Sequence, residues 1–167
     1  TATNVTNDSI TVSVSASAGT NAIQTYYYSI NNGEYVSSTS NTYTFSGLSA
    51  GQSYSIRVYV RDTNGVQSNE YTLSATTDAY VNPVVNSVTT TSVSNNSITV
   101  SVNASGGTNN ISRYYYSSNG GSSYVNTTSN SYTFSGLSAG TTYQIRVYVV
   151  DTNGVQSNVY TINAETE

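Results

Sequence analysis

The sequence predicts an all-β chain folded as two tandem antiparallel β-sandwiches, and three observations carry that prediction. Short apolar runs alternate with polar residues at a period of two, turn residues interrupt them about every ten positions, and the whole pattern is written twice. SITVSV begins at Ser9 and again at Ser97, 88 positions later, while TYYY from Thr25 is matched by RYYY from Arg113. YTFSGLSAG runs from Tyr43 to Gly51 and, letter for letter, from Tyr132 to Gly140, 89 positions later. DTNGVQSN at Asp62 and Asp151 keeps the second offset. Self-similarity at a fixed period marks a duplicated folding unit, so the domains are placed at 1–78 and 79–167.

Each strand follows from the alternation. Ile10, Val12, Val14 and Ala16 point one way and Thr11, Ser13 and Ser15 the other, which predicts a strand over 9–17. The tyrosine run predicts a second over 23–30. The one-residue change of offset falls where INNGEYV (Ile30 to Val36) becomes SNGGSSYV (Ser118 to Val125), and insertions settle in exposed turns. These segments are therefore hairpin tips, leading into a short strand over 34–38 and another over 41–46. Tyr54, Ile56, Val58 and Val60, opposed by Ser55, Arg57, Tyr59 and Arg61, predict a strand over 53–61. Tyr71, Leu73 and Ala75 form the apolar face of a last one over 69–76. Equivalents of all six follow in the second unit.

The two copies also suggest a register. Arg61 and Glu70 flank the DTNGVQSN loop, and both change together, to Val150 and Val159. An ion pair exchanged for an apolar pair predicts that the two positions are direct cross-strand neighbours. Tyr59 would then face Thr72, and Arg57 would face Ser74.

Composition removes several function classes. Charged residues make up 7% of the chain, the net charge is -4, Lys is absent, and the only cations are Arg57, Arg61, Arg113 and Arg146. No basic cluster exists to hold a nucleic acid or an anionic membrane, and no apolar run is long enough to span a bilayer. Cys and His are absent, so no thiolate or imidazole is at hand for metal binding or acid-base work. Of the eight carboxylates only Asp62 and Asp151 recur, and they open turns, so no paired-carboxylate site, metal site or cofactor is expected. Asp-x-Asn-Gly lacks the further oxygen ligands and closing Glu of a calcium loop. Sequons at Asn4, Asn7, Asn95, Asn103, Asn110 and Asn126 are no more than chance supplies in a chain that is nearly half Ser, Thr and Asn.

GLSAGQSY places Leu48 six residues before Tyr54, and GLSAGTTY does the same for Leu137 and Tyr143. With the alternating IRVYV that follows and the DTNGVQS turn after it, each unit resembles a fibronectin type III module. The resemblance implies that Leu48, Tyr54, Leu137 and Tyr143 form a structural corner, each Tyr closing it by a hydroxyl-to-backbone hydrogen bond. The family's usual core Trp is replaced here by Val14 and Val102, and Tyr26, Tyr28, Tyr114 and Tyr116 are the candidates to fill the space. If the strand over 23–30 lies beside that over 53–61 as in that family, Tyr27, Arg57 and Tyr59 share one outer face. Tyr115, Arg146 and Tyr148 repeat that candidate binding surface.

Between the units, Tyr80 to Val93 reads as a short linker followed by a leading strand that begins after Pro83. At the same offset the first unit lacks its leading residues, as a piece cut from an array would, or as a unit whose edge a neighbour completes by strand addition. The function expected is a non-catalytic spacer or structural segment of an extracellular, cell-surface or virion-surface assembly. Its partners would be other domains or subunits of that assembly. Adhesion or recognition of a surface glycan or protein, and a filament subunit joined by strand complementation, are the alternatives.

Overall fold

The computed structural model describes all residues, Thr1–Glu167, and they divide into two units, Thr1–Tyr80 and Val81–Glu167. In the first, β1 (Ala2–Val5), β2 (Ser9–Ser13) and β5 (Thr42–Ser46) form a sheet in the order β1-β2-β5. β3 (Ile23–Ile30), β4 (Val36–Ser38), β6 (Ser53–Asp62) and β7 (Tyr71–Thr76) form the other, in the order β4-β3-β6-β7. The second unit repeats both. β8 (Val84–Val93), β9 (Ser97–Ser105) and β12 (Ser131–Ser135) make one sheet; β10 (Ile111–Ser117), β11 (Val125–Thr127), β13 (Thr142–Asp151) and β14 (Tyr160–Glu165) make the other. All pairings are antiparallel.

The period-two faces meet between the sheets. Ile10, Val12, Tyr28, Phe45, Ile56 and Val58 form the core of the first unit. Ile98, Val100, Tyr116, Phe134, Ile145 and Val147 are their counterparts in the second, which adds Val85, Val88, Val102 and Val149. Tyr28 and Tyr116, two of the four tyrosines expected to fill the core, are fully buried. Each hydroxyl donates to a loop carbonyl, Ser40 and Ser129 respectively, at 3.0 Å, which satisfies the one polar atom the burial would strand. Tyr26 and Tyr114 pack beside them, half-buried.

Two expectations need correction. The strand expected over 9–17 ends at Ser13, whereas its copy runs the full Ser97–Ser105. The sequence is the same in type, and what differs is the partner: β8 has ten residues and β1 four. The short β1 is the incomplete leading strand that the offset implies, ending at Val5 as β8 ends at Val93. The second correction is to the register: β6 and β7 pair with Arg57 opposite Thr72 and Val58 opposite Tyr71. Arg61 instead bridges to Gln67, as Val150 does to Gln156, so Arg61 and Glu70 are not direct neighbours. The DTNGVQSN loop folds back more tightly than a plain hairpin, and the register moves by two residues. Smaller differences are confined to strand ends: β4 begins at Val36, β5 at Thr42 and β7 at Tyr71.

Candidate functional site

The repeated YTFSGLSAG forms the end of β5 and the corner that leads to β6. Leu48 packs, half-buried, on the core, and its amide donates to the Asp8 carbonyl at 2.9 Å. The Tyr54 hydroxyl accepts a hydrogen bond from the Ser49 amide at 2.8 Å. Leu137 and Tyr143 repeat this, with the Ser138 amide as donor at 2.8 Å. Sequence reasoning missed a second pin. Thr77, buried at the end of the unit, donates from its hydroxyl to the Ser49 carbonyl at 2.7 Å and accepts from the Gln52 amide at 3.0 Å. Thr166 does the same for Ser138 and Thr141. The signal was available, since Thr77 and Thr166 stand at the 89-residue offset, but they lie outside any repeated motif.

The outer faces of the four-stranded sheets hold the other candidates. Tyr27 lies opposite Tyr59 across β3 and β6, their rings stacked with centroids 4.5 Å apart and planes 10° from parallel. Tyr35 meets Tyr59 edge-on at 4.8 Å. The Arg61 guanidinium caps the stacked pair, 5.2 Å from the Tyr27 ring centre and 5.8 Å from that of Tyr59. Arg57 lies over Tyr35 at 5.3 Å and pairs with Glu70 at 3.6 Å. The Tyr35 hydroxyl also donates to Glu70; burial first, then this bond, pushes the Tyr35 hydroxyl pKa up.

In the second unit Tyr115 stacks on Tyr148 at 4.6 Å and 7°, with Tyr124 edge-on to Tyr148 at 4.9 Å. Arg146 lies on the same sheet, but Val150 replaces the capping Arg61 and Val159 replaces Glu70. The Nε atoms of Arg57, Arg61 and Arg146 are shielded from solvent without a hydrogen-bond partner. Their stems lie flat over the tyrosine-rich sheet rather than reaching into water.

Asp62 builds the turn after β6. Its Oδ1 accepts from the Asn64 and Val66 amides at 2.9 and 2.8 Å, and its Oδ2 accepts from Asn21 at 3.0 Å. Those bonds, led by Asn21, lower its carboxyl pKa. Gly65 closes the turn at a φ of 81°, a conformation that favours glycine. Asp151 holds Asn153 and Val155 in the same way. No group of three His, Cys, Asp or Glu side chains gathers into a metal-binding set. No helix is long and apolar enough to cross a membrane.

A three-stranded sheet packed on a four-stranded one, with a tyrosine corner at the turn into β6 and again into β13, defines an immunoglobulin-like antiparallel sandwich. The fibronectin type III domain model matches residues 1–77 and 83–163, and the chain belongs to that family, in tandem. Among solved structures it is similar to the fibronectin(III)-like modules of Clostridium thermocellum CbhA, at 16% identity over 97% of this chain and 87% of that one, with a TM-score of 0.42. It is similar also to a two-domain fibronectin type III segment from chicken tenascin, at 16% identity over 99% and 97%, with a TM-score of 0.42. The central fibronectin-III array of RIM-binding protein aligns at 18% identity over 100% of this chain and 67% of that one, with a TM-score of 0.39. No curated protein matches it. Fibronectin type III domains are commonly structural, linker or binding modules, generally non-catalytic, and typical of extracellular proteins.

Proposed function

We infer that the chain is a non-catalytic spacer segment of an extracellular or virion-surface assembly, whose partners are the neighbouring domains or subunits of that assembly. The observation that carries this reading is where the two copies agree. Verbatim identity falls on scaffold: the corner YTFSGLSAG, the turn DTNGVQSN, and the alternating core strands. Of the three charges on the first outer face, Arg57 is kept as Arg146 while Arg61 and Glu70 become Val150 and Val159. The outer tyrosines that are kept, Tyr27 with Tyr59 and Tyr115 with Tyr148, spend their ring faces on one another. Cross-strand aromatic pairs of that kind stabilise a sheet.

The competing reading is recognition of a glycan or surface protein by those same faces, since tyrosines bind at low entropic cost. A glycan array and a panel of cell-surface proteins, probed with the intact chain, separate the two. The spacer reading expects no saturable binding. Saturable binding abolished by Tyr59→Ala with Tyr148→Ala, in a chain that still folds, would replace it with the recognition reading.

A further inference from the structure

Arg57 has a carboxylate partner and its duplicate has none. In the first unit the Arg57 guanidinium approaches Glu70 at 3.6 Å, and the Tyr35 hydroxyl donates to the same carboxylate. An Arg and a Tyr thus seat one glutamate on the outer sheet. At the 89-residue offset Arg146 and Tyr124 keep both groups, but Val159 stands where the glutamate was and is 42% exposed.

No residue of the chain takes the glutamate's place. Arg146 makes no ion pair, and its Nε has no hydrogen-bond partner. The Tyr124 ring is held edge-on to Tyr148, but its hydroxyl donates to nothing. The two polar groups nevertheless converge. Gly121, at the tip of the β10–β11 hairpin with a φ of 91°, lies so close that a Cβ there would meet the Tyr124 Oη at 3.0 Å and the Arg146 Nη1 at 3.1 Å. The hydroxyl and the guanidinium therefore flank one spot beside the hairpin tip. Local charge there is positive. Arg113, opposite Val150, projects from the same face because Tyr114 and Tyr116 turn to the core. The one carboxylate on β14, Glu165, pairs with Thr142, four residues along β13 from Arg146.

We propose that Arg146 and Tyr124 form a carboxylate seat on the second unit, and that its occupant is a glutamate side chain presented by a different polypeptide, a neighbouring subunit of the assembly. The duplicate specifies the occupant: the equivalent seat in the first unit is filled by a glutamate carried on polypeptide, held by the same two residue types. Arg146 supplies a charge-assisted bond and Tyr124 a second donor. Val159, neutral and short, leaves the space clear. Arg146 is half-buried, so solvent ions screen the contact less than they would on an open surface. The ring faces of Tyr115 and Tyr148 take no part. Only the identity of the neighbour rests on the spacer reading; the seat itself rests on the comparison of the two units.

The test titrates an end-blocked pentapeptide copying Ser68–Thr72, which carries Glu70, into the full chain and follows the amide signals of Tyr124 and Val159 and the arginine side-chain signals by NMR. Saturable shifts at Tyr124, Arg146 and Val159 are expected, half-complete at about 1 mM and weakened by salt. They should be lost with the peptide carrying Glu70→Gln, weakened about tenfold by Arg146→Gln in the chain and about threefold by Tyr124→Phe. Val159→Glu, which supplies the carboxylate from within, should block the peptide, and Glu70→Val in the chain should open a second seat at Arg57. The proposal is overturned by the absence of saturation at millimolar peptide, by equal binding of the Glu70→Gln peptide, or by a Val159→Glu chain that binds the peptide unchanged. Tighter binding of methyl glucuronoside than of the peptide would overturn it in favour of an acidic glycan, and self-association of the chain that Arg146→Gln abolishes would make a second copy the occupant instead. The spacer reading fails separately, on the glycan and surface-protein panel, whichever way this titration falls.

Discussion

The Ser49 amide donates to the Tyr54 hydroxyl at 2.8 Å, and the Ser138 amide donates to Tyr143 at the same distance. The hydroxyl is the acceptor, so Tyr54→Phe leaves a backbone donor without its partner while keeping the ring on the core. The expected cost is about 1 kcal/mol, because the corner is partly open to water. Urea unfolding of the full chain, followed through resolved amide signals of each unit, should show the first unit weakened and the second unchanged. An unaltered midpoint in the first unit would show that the bond does not hold the corner.

Thr77 offers a sharper test of the same corner. Its hydroxyl is buried and satisfies both the Ser49 carbonyl and the Gln52 amide. Thr77→Val preserves shape but removes the partner of both groups at a part-buried site, so a loss of about 2 kcal/mol is expected. Thr77→Ser, which keeps the hydroxyl, should recover most of that. A Thr77→Val loss near zero would mean that the hydroxyl bonds do not hold the corner, and a Thr77→Ser loss as large as that of Val would mean that the methyl packing contributes as much as they do.

The corrected register makes a prediction about charge. Arg57 approaches Glu70 at 3.6 Å with side chains 26% and 38% exposed, whereas Arg61 bridges Gln67 and reaches its Oε1 at 3.4 Å. A double-mutant cycle of Arg57→Ala with Glu70→Ala should give a coupling of about 0.5 kcal/mol that shrinks with salt. The cycle of Arg61→Ala with Glu70→Ala should give a markedly smaller one. The reverse order of couplings would restore the register in which 61 faces 70.

Asp62 ties first-unit stability to acid. Its carboxyl pKa is lowered in the fold, first by the Asn21 bond and then by the Val66 amide. A lowered folded-state value means stability that is present above the unfolded value of about 4 and is lost as pH falls through the folded one. Acid titration of the first unit should therefore show a loss that Asp62→Asn flattens, since Asn can still accept from both turn amides. Identical acid profiles in the two proteins would remove Asp62 as the cause.

Strand existence and face were legible because burial enforces a period of two: Ile10, Val12, Ile56 and Val58 point inward as their alternation requires. The outer pairing of Tyr27 with Tyr59 followed once β3 was set beside β6. The register of β7 was not legible, because it depends on how tightly DTNGVQSN folds back, and the joint change of Arg61 and Glu70 has an explanation other than direct contact. Both face the tyrosine-rich sheet, Arg61 over Tyr27 and Glu70 bonded to Tyr35. The early end of β2 was hidden for a different reason. Val14 and Ala16 carry the right pattern, but a ladder also needs a partner strand, and pattern alone does not report whether the partner is there.

Tyr28 couples the first core to alkaline pH. Its side chain is fully buried, its hydroxyl donates to the Ser40 carbonyl, and its ring stacks on Tyr43. Burial first, then the neighbouring Tyr26, raises its pKa to about 12; burial raises Tyr116 in the second unit likewise. An unfolded tyrosine loses its proton near pH 10, about two units earlier. Because the folded value is the higher one, the stability linked to Tyr28 is complete below about pH 10. It is lost as pH rises from there through about 12. Ultraviolet titration of the folded chain should accordingly leave a late-ionising fraction of the tyrosines whose ionisation coincides with unfolding. In Tyr28→Phe the first unit should start about 1 kcal/mol weaker at neutral pH, with the Ser40 carbonyl unpaired, and fall less steeply between pH 10 and 12. A first unit whose stability is flat across that interval in the unmodified chain would mean that the Tyr28 hydroxyl is not held in the core.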